Sequence, residues 1–209
     1  MPQTVAAVVE PVGKAEAILA AAERAFLEGG FGAVTMDAIA RQAGASKATV
    51  YAHFTSKEAL FGAVIVNLSE RRYAGFTAEA LDPDDIEASL TTIATRFLDL
   101  VLAPEVIALN RIIIGEVTRF PVLGEVFWTA GPERTRAQIE AFLRRAAAAG
   151  SLVVPDPRLA TEQFITLVRG EIHLRSLLRL ETISDPAALD TAAGSAVQTF
   201  LRAFRPAPD

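Results

Sequence analysis

Thr35–Lys57 reads TMDAIARQAGASKATVYAHFTSK, and its punctuation decides the fold. Thr35 stands before a short run that puts Ile39 and Ala40 on one helical face. Ser46 stands likewise before KATVYAH, whose Val50, with Phe54 just beyond, points inward. A hydroxyl side chain in front of such a run is a helix cap, because it accepts a hydrogen bond from an otherwise unpaired N–H of the first turn. Gly44 marks the turn between the two runs. Lys47, Thr49, Tyr51 and His53 are left on the outer face of the second helix. Two helices joined by a three- to four-residue turn containing glycine form a helix-turn-helix, whose second helix is shaped for the DNA major groove. The stretch predicts a DNA reader.

Working outward, Lys14 to about Glu28 places Ile18, Ala22, Ala25 and Phe26 on one face, and Gly29-Gly30 should stop that helix. Thr55-Ser56-Lys57-Glu58 opens a fourth helix, with either Thr55 in a capping box with Glu58 or Ser56 as the cap. It should run to about Ala80 and end at Asp82-Pro83-Asp84. Ile86, Leu90, Ile93, Phe97 and Val101 then recur at spacings of three and four. Further helices are expected from Pro104 to Arg119 and from Pro121 to Ala149, the latter kinked or split at Gly131-Pro132. Asp156-Pro157 and Asp185-Pro186 each place a capping acid before a proline suited to the first helical position, opening helices of about 157–180 and 186–204. The expected fold is all-α with about nine helices and no strand-like alternation. Residues 1–13 read as a flexible arm, 14–60 as the helix-turn-helix domain, 61–204 as a larger helical domain and 205–209 as a tail.

Composition narrows the function. With 51% hydrophobic residues in 209, the chain has a core to bury. It contains no cysteine, hence no disulfide framework and no thiolate site. MPQTVAAVVEPVG has no basic stretch and carries Glu10, unlike a secretory leader, and no apolar run is long enough to span a bilayer. A cytoplasmic protein without membrane partners is expected. The net charge is −5, and residues 1–60 hold five basic against six acidic side chains. Bulk DNA coating needs a dense basic surface to neutralise phosphates. Sparse positive charge near the motif, aided by helix amino-termini, fits site-specific binding better.

The motif and its flanks together resemble the amino-terminal domain of the tetracycline-repressor (TetR) family of bacterial regulators. The resemblance runs over residues 14–65 and rests on spaced positions that include Phe26, Gly30, Phe31, Thr35, Gly44, Ser46, Tyr51, Phe54 and Lys57. Ala48 stands where the family often has glycine, and Ala52 where the residue is usually larger. The resemblance implies DNA contacts from Tyr51, His53 and Lys57. Thr35 and Ser46 are helix caps, and a cap hydroxyl at a DNA-facing end can also contact phosphate, a double role expected above all for Thr35. Lys47 and Thr49 lie at the start of the recognition helix, in reach of either base edges or phosphates. Such a module touches few bases alone, so a homodimer on a near-palindromic operator is expected, its two recognition helices about 34–36 Å apart or a multiple of that.

In that family the last two helices form the dimer interface. Here they supply Leu167, Leu174 and Leu178, with Val197, Phe200, Leu201 and Phe204. The same residues can instead fill the subunit's own core. Val106–Leu152, including EVTRFPVLGEVFWTAGPER, further resembles the carboxy-terminal domain of the AefR-like subgroup. A pocket for an unidentified small, apolar effector is implied. Its candidate aromatic lining is Phe97, Phe120, Phe127, Trp128 and Phe164, and its candidate polar groups include Arg111, Glu116 and His173, with Asn110 beside them. Two histidines, no cysteine and no Gly-rich phosphate loop argue against an enzyme, a metal site or a cofactor. The expected protein is a ligand-released repressor. A carrier or enzyme built on the large domain, or a partner-dependent or architectural DNA-binding protein, is the alternative.

Overall fold

The computed structural model describes residues 13–72, 78–180 and 186–207. The expected arm up to residue 12, residues 73–77 over which the fourth helix is expected to continue, the expected Asp185 cap and the last two residues of the tail lie outside them. The described residues are all-α, with eleven α-helices and one short 3-10 turn at Ala78–Ala80. They divide between two compact units, Met1–Val64 and Ile65–Asp209.

The first unit holds α1 (Lys14–Ala33), α2 (Met36–Gln42), α3 (Lys47–His53) and the opening of α4 (Lys57–Arg72). α1 outlasts its expected end. Gly30 breaks it with φ 75° and ψ 173°, and a final turn continues to Ala33. That break swings Phe31 back into the core, where it stacks on Phe26 at 5.8 Å between ring centroids. Phe61 meets both rings edge-on, at 5.1 and 5.3 Å. Around this aromatic trio, Ile18, Ala22, Ile39 and Val50 are completely buried. Removing one of the three rings would cost about 3–5 kcal/mol. Thr35 and Ser46 cap α2 and α3 through side-chain oxygens that accept from the Ala38 and Thr49 amides. Ser56 is the cap of α4, accepting from the Ala59 amide at 3.1 Å.

The second unit holds the rest of α4, then α5 (Ile86–Val101), α6 (Pro104–Glu116), α7 (Val122–Ala130), α8 (Pro132–Ala148), α9 (Pro157–Arg169), α10 (Ile172–Leu177) and α11 (Pro186–Phe204). The count exceeds nine for two reasons. Gly131-Pro132 splits the seventh expected helix into α7 and α8, the sharper of the two outcomes foreseen there. The helix expected over 157–180 also breaks, at Gly170, whose φ of 49° lies outside the helical region. α5, α9 and α11 pack together against α8 around Leu90, Ile93, Phe142, Phe164, Val197 and Phe200. Asp156 caps α9 by accepting from the Leu159 amide at 3.1 Å, with Pro157 in the first turn as the sequence predicts.

Candidate functional site

The recognition helix is seated by one buried side chain and two local networks. Val50 is fully buried beneath α3, while Lys47, Tyr51 and His53 are exposed and Thr49 is half-buried. Gly44 makes the preceding turn with φ 60°, in the left-handed region that side chains with a Cβ avoid. The Ser46 hydroxyl accepts from the Thr49 amide at 3.0 Å and shares a 2.8 Å hydrogen bond with the Thr49 hydroxyl. Both hydroxyls are therefore held at the helix amino-terminus, where free N–H groups favour an anion.

Lys47 does not stand free. Its ammonium lies 2.9 Å from Asp37, in the first turn of α2, and 6.0 Å from the Tyr51 ring centroid. Hydrogen bonding to the Asp37 carboxylate, and its charge, raise the Lys47 pKa above the ordinary lysine value. Both partners are well exposed, so solvent screens the pair and it contributes little. It is cheap to exchange for a phosphate or a base edge. Asp37 went unnoticed in the sequence because the contact crosses the turn, ten residues apart, with no local periodicity to reveal it.

Lys57 is placed differently from an ordinary surface lysine. Its ammonium donates to the Phe31 carbonyl at 2.8 Å and the Val34 carbonyl at 2.9 Å, and sits 4.2 Å from the Phe31 ring centroid. Two of its three N–H donors hold the carboxy-terminal end of α1, leaving one to meet a phosphate. Thr35, which follows Val34 in sequence, is exposed, its hydroxyl occupied with the Ala38 amide at 3.2 Å. The seven residues expected at a DNA surface thus fall into an exposed group and a bracing group. Lys47, Tyr51 and His53 face outward, whereas Thr35, Ser46, Thr49 and Lys57 also hold the helices in place.

The second unit contains a cavity of about 190 Å³. Four of the eight expected lining residues meet there: Phe97, Phe127, Trp128 and His173. Asn110 also reaches it. The other four are elsewhere. Phe164 is fully buried in the core, edge-on to Phe200 at 5.0 Å. Arg111 donates to the Ser176 and Leu177 carbonyls at 2.6 and 2.9 Å, tying α6 to the end of α10. Glu116 is the last residue of α6 and Phe120 lies four residues beyond it, its amide donating to the Glu116 carbonyl at 2.8 Å. Arg136 and Arg169 line the cavity although nothing in the sequence set them apart from solvated arginines. Arg136 stacks 4.9 Å from the Trp128 ring centroid and pairs with Glu162 at 2.9 Å. Burial, reinforced by the charge of Arg169, lowers the His173 pKa below its ordinary 6.5.

The residues expected at a dimer surface also divide. Leu167, Leu174 and Leu178 are exposed. Val197, Phe200 and Leu201 are buried within the subunit, because the inner face of α11 packs on α5 and α9. Phe204 is partly buried, stacks on Phe200 at 4.5 Å, and lines a shallow groove with Leu159 and Leu167. Among the described residues no cluster of histidine, cysteine or carboxylate side chains is arranged to hold a metal, and no helix is long and apolar enough to cross a membrane.

Comparison with known proteins agrees with this arrangement. Residues 18–64 match the bacterial regulatory proteins of the tetR family, and residues 88–206 match the carboxy-terminal domain of AefR-like transcriptional repressors. The solved structure of the flavonoid-responsive regulator FrrA is 38% identical, with a TM-score of 0.75 over 93% of this chain and 98% of that one. A TetR transcriptional regulator from Agrobacterium tumefaciens is 26% identical, with a TM-score of 0.77 over 93% of this chain and 95% of its own. The transcriptional regulator UidR of Escherichia coli is 46% identical over 59 residues, which are 28% of this chain and 30% of UidR. A helix-turn-helix with an exposed recognition face, followed by a helical domain of the AefR-like kind, makes this chain a member of the TetR family of DNA-binding transcriptional regulators.

Proposed function

We propose that the chain is a homodimeric repressor that acts in the cytoplasm, holds a near-palindromic operator, and lets go when a small ligand with an apolar body fills the cavity of the second unit. The observation that carries this reading is the position of α4. Its residues 57–64 belong to the first unit and its residues 65–72 to the second. Ile65, Leu68 and Ser69, more than two turns further along the same helix than Lys57, line the cavity. A ligand that alters the preferred position of this helix alters the spacing of two recognition helices in a dimer. For release, the ligand must bind the DNA-incompetent arrangement more tightly, since only differential affinity shifts an equilibrium.

Dimerisation is supported by the exposed leucines of α9 and α10. Leu159, Leu167, Leu174 and Leu178 lie 41–60% exposed, and a twofold axis beside them would let one apolar surface cover its own copy. FrrA is flavonoid-responsive, which makes a planar aromatic compound the natural ligand class to assign here. The test is displacement: the purified chain is bound to an operator selected from genomic fragments, then titrated with a library of planar aromatic compounds. Release by a compound that also protects the second unit against unfolding is the expected result. Operator affinity untouched by every compound that binds the cavity would remove the ligand-released part of this reading.

A further inference from the structure

The charges around the cavity are unevenly settled. Of the carboxylates on the helices that form it, Glu70 pairs with Arg134 at 3.0 Å, Glu162 with Arg136 at 2.9 Å, and Glu105 with Arg72. None of the three lines the cavity, nor do the exposed Glu133 and Glu171. Among the described residues the lining holds two arginines and a histidine and no acid. Arg136 already has its carboxylate. Arg169, at the last turn of α9, lines the cavity with no hydrogen bond or ion pair to any described residue.

Gly170 then breaks the helix, and His173 enters the same lining one short turn later. His173 is half-buried and held toward its neutral form, so it offers one N–H and adds no second charge. Asn110 uses one amide N–H on the Val106 carbonyl at 2.8 Å, which leaves it a second donor. The lining therefore offers donors from Asn110 and His173 and, in Arg169, one cation without a carboxylate partner among the described residues. The rest of the lining is mainly apolar, apart from Ser69, Thr135 and the paired Arg136, with aromatic rings from Phe97, Phe127 and Trp128. A volume of about 190 Å³ lies below the roughly 300–1,000 Å³ of pockets that take drug-sized ligands. That excludes large ligands in this arrangement and fits one or two rings.

We propose that the ligand of this cavity is a one- or two-ring aromatic carboxylic acid, bound as its anion, with the carboxylate on Arg169 and its rings against Phe97, Phe127 and Trp128. The assignment rests on reading the cavity as the effector site and names the ligand class for it. A guanidinium that meets a carboxylate supplies paired, charge-assisted donors that an uncharged isostere cannot engage as strongly.

The experiment compares 2-naphthoate with 2-naphthamide, a neutral compound of nearly the same shape, on the full chain by calorimetry. Both are repeated on Arg169→Gln, a substitution at an exposed side chain that makes no hydrogen bond or ion pair with any described residue. Naphthoate should bind on the order of tenfold more tightly than naphthamide. Arg169→Gln should erase that preference, weakening naphthoate far more than naphthamide. Equal affinities, a preference for the amide, binding of neither compound, or a naphthoate preference that survives Arg169→Gln would each overturn the assignment. Operator binding, measured alongside, separates the two claims. Operator release by the amide alone would leave a ligand-released repressor without an acidic ligand. Tight naphthoate binding that leaves the operator bound would keep the acid assignment and remove the release mechanism.

Discussion

Replacing Lys57 with methionine keeps the apolar stem and deletes only the ammonium, so it isolates what that charge does. In the structure the ammonium donates to the Phe31 and Val34 carbonyls and lies over the Phe31 ring. Hydrogen bonds from a charged donor contribute about 1.5–3 kcal/mol each, and a partly desolvated cation over an aromatic ring adds about 0.5–2 kcal/mol. The desolvation of a half-buried ammonium offsets part of that sum. A net loss of about 2–3 kcal/mol is expected, confined to the first unit. The assay is native-state hydrogen exchange at the amides of α1 and α3, which reports local opening. There a loss of about 2 kcal/mol accelerates exchange roughly thirtyfold. Lys57→Arg should recover part of the protection, because a guanidinium can still donate to both carbonyls. If Lys57 acts only on phosphate, exchange in Lys57→Met will stay within about 0.5 kcal/mol of the parent, while the salt slope of DNA binding falls by about one per protomer. That pair of results would refute the bracing role.

Other outcomes are expected. Asp37→Asn removes the acid that holds Lys47, and affinity for random duplex in a filter or anisotropy assay should rise, by no more than a few-fold because the pair is exposed and screened. Phe164→Ala empties a fully buried site against Phe200. It should destabilise the second unit by about 3–5 kcal/mol in urea unfolding followed by the single tryptophan, Trp128. His173, held below its ordinary 6.5, takes up its proton more readily in the unfolded chain. Its share of stability is therefore intact above about pH 6.5 and is lost as pH falls from there toward the folded value. His173→Gln should flatten that part of the pH dependence of unfolding, and an unchanged profile would contradict it.

Much of the fold was legible because its punctuation is short-range. Thr35, Ser46 and Asp156 announce helix starts through a side chain that reaches only three residues ahead. Val50 and Phe26 declare the core by spacing alone. What escaped was set by tertiary contacts. Gly170 reads as one glycine in an apolar run, and only the packed structure shows the chain turning there. Val197, Phe200 and Leu201 look the same in sequence as Leu167 and Leu174, yet the first three meet α5 and α9 while the others face outward. The aromatic half of the cavity was partly visible, whereas Arg136 and Arg169 were hidden by the ordinary expectation that arginines are solvated. In the DNA-reading unit, the residue types were legible but their partners were not. Asp37 and the Phe31 carbonyl are brought to Lys47 and Lys57 by folding.

The most direct test of the central claim is competition binding at fixed physiological salt. The purified chain is offered its best site selected from genomic fragments against an excess of random duplex. A DNA-reading repressor with an exposed Lys47–Tyr51–His53 face should prefer a short near-palindrome by at least ~10³-fold, and Tyr51→Ala should abolish the preference without unfolding the chain. Equal affinity for the selected and random duplexes, or a preference that survives Tyr51→Ala unchanged, would contradict the account.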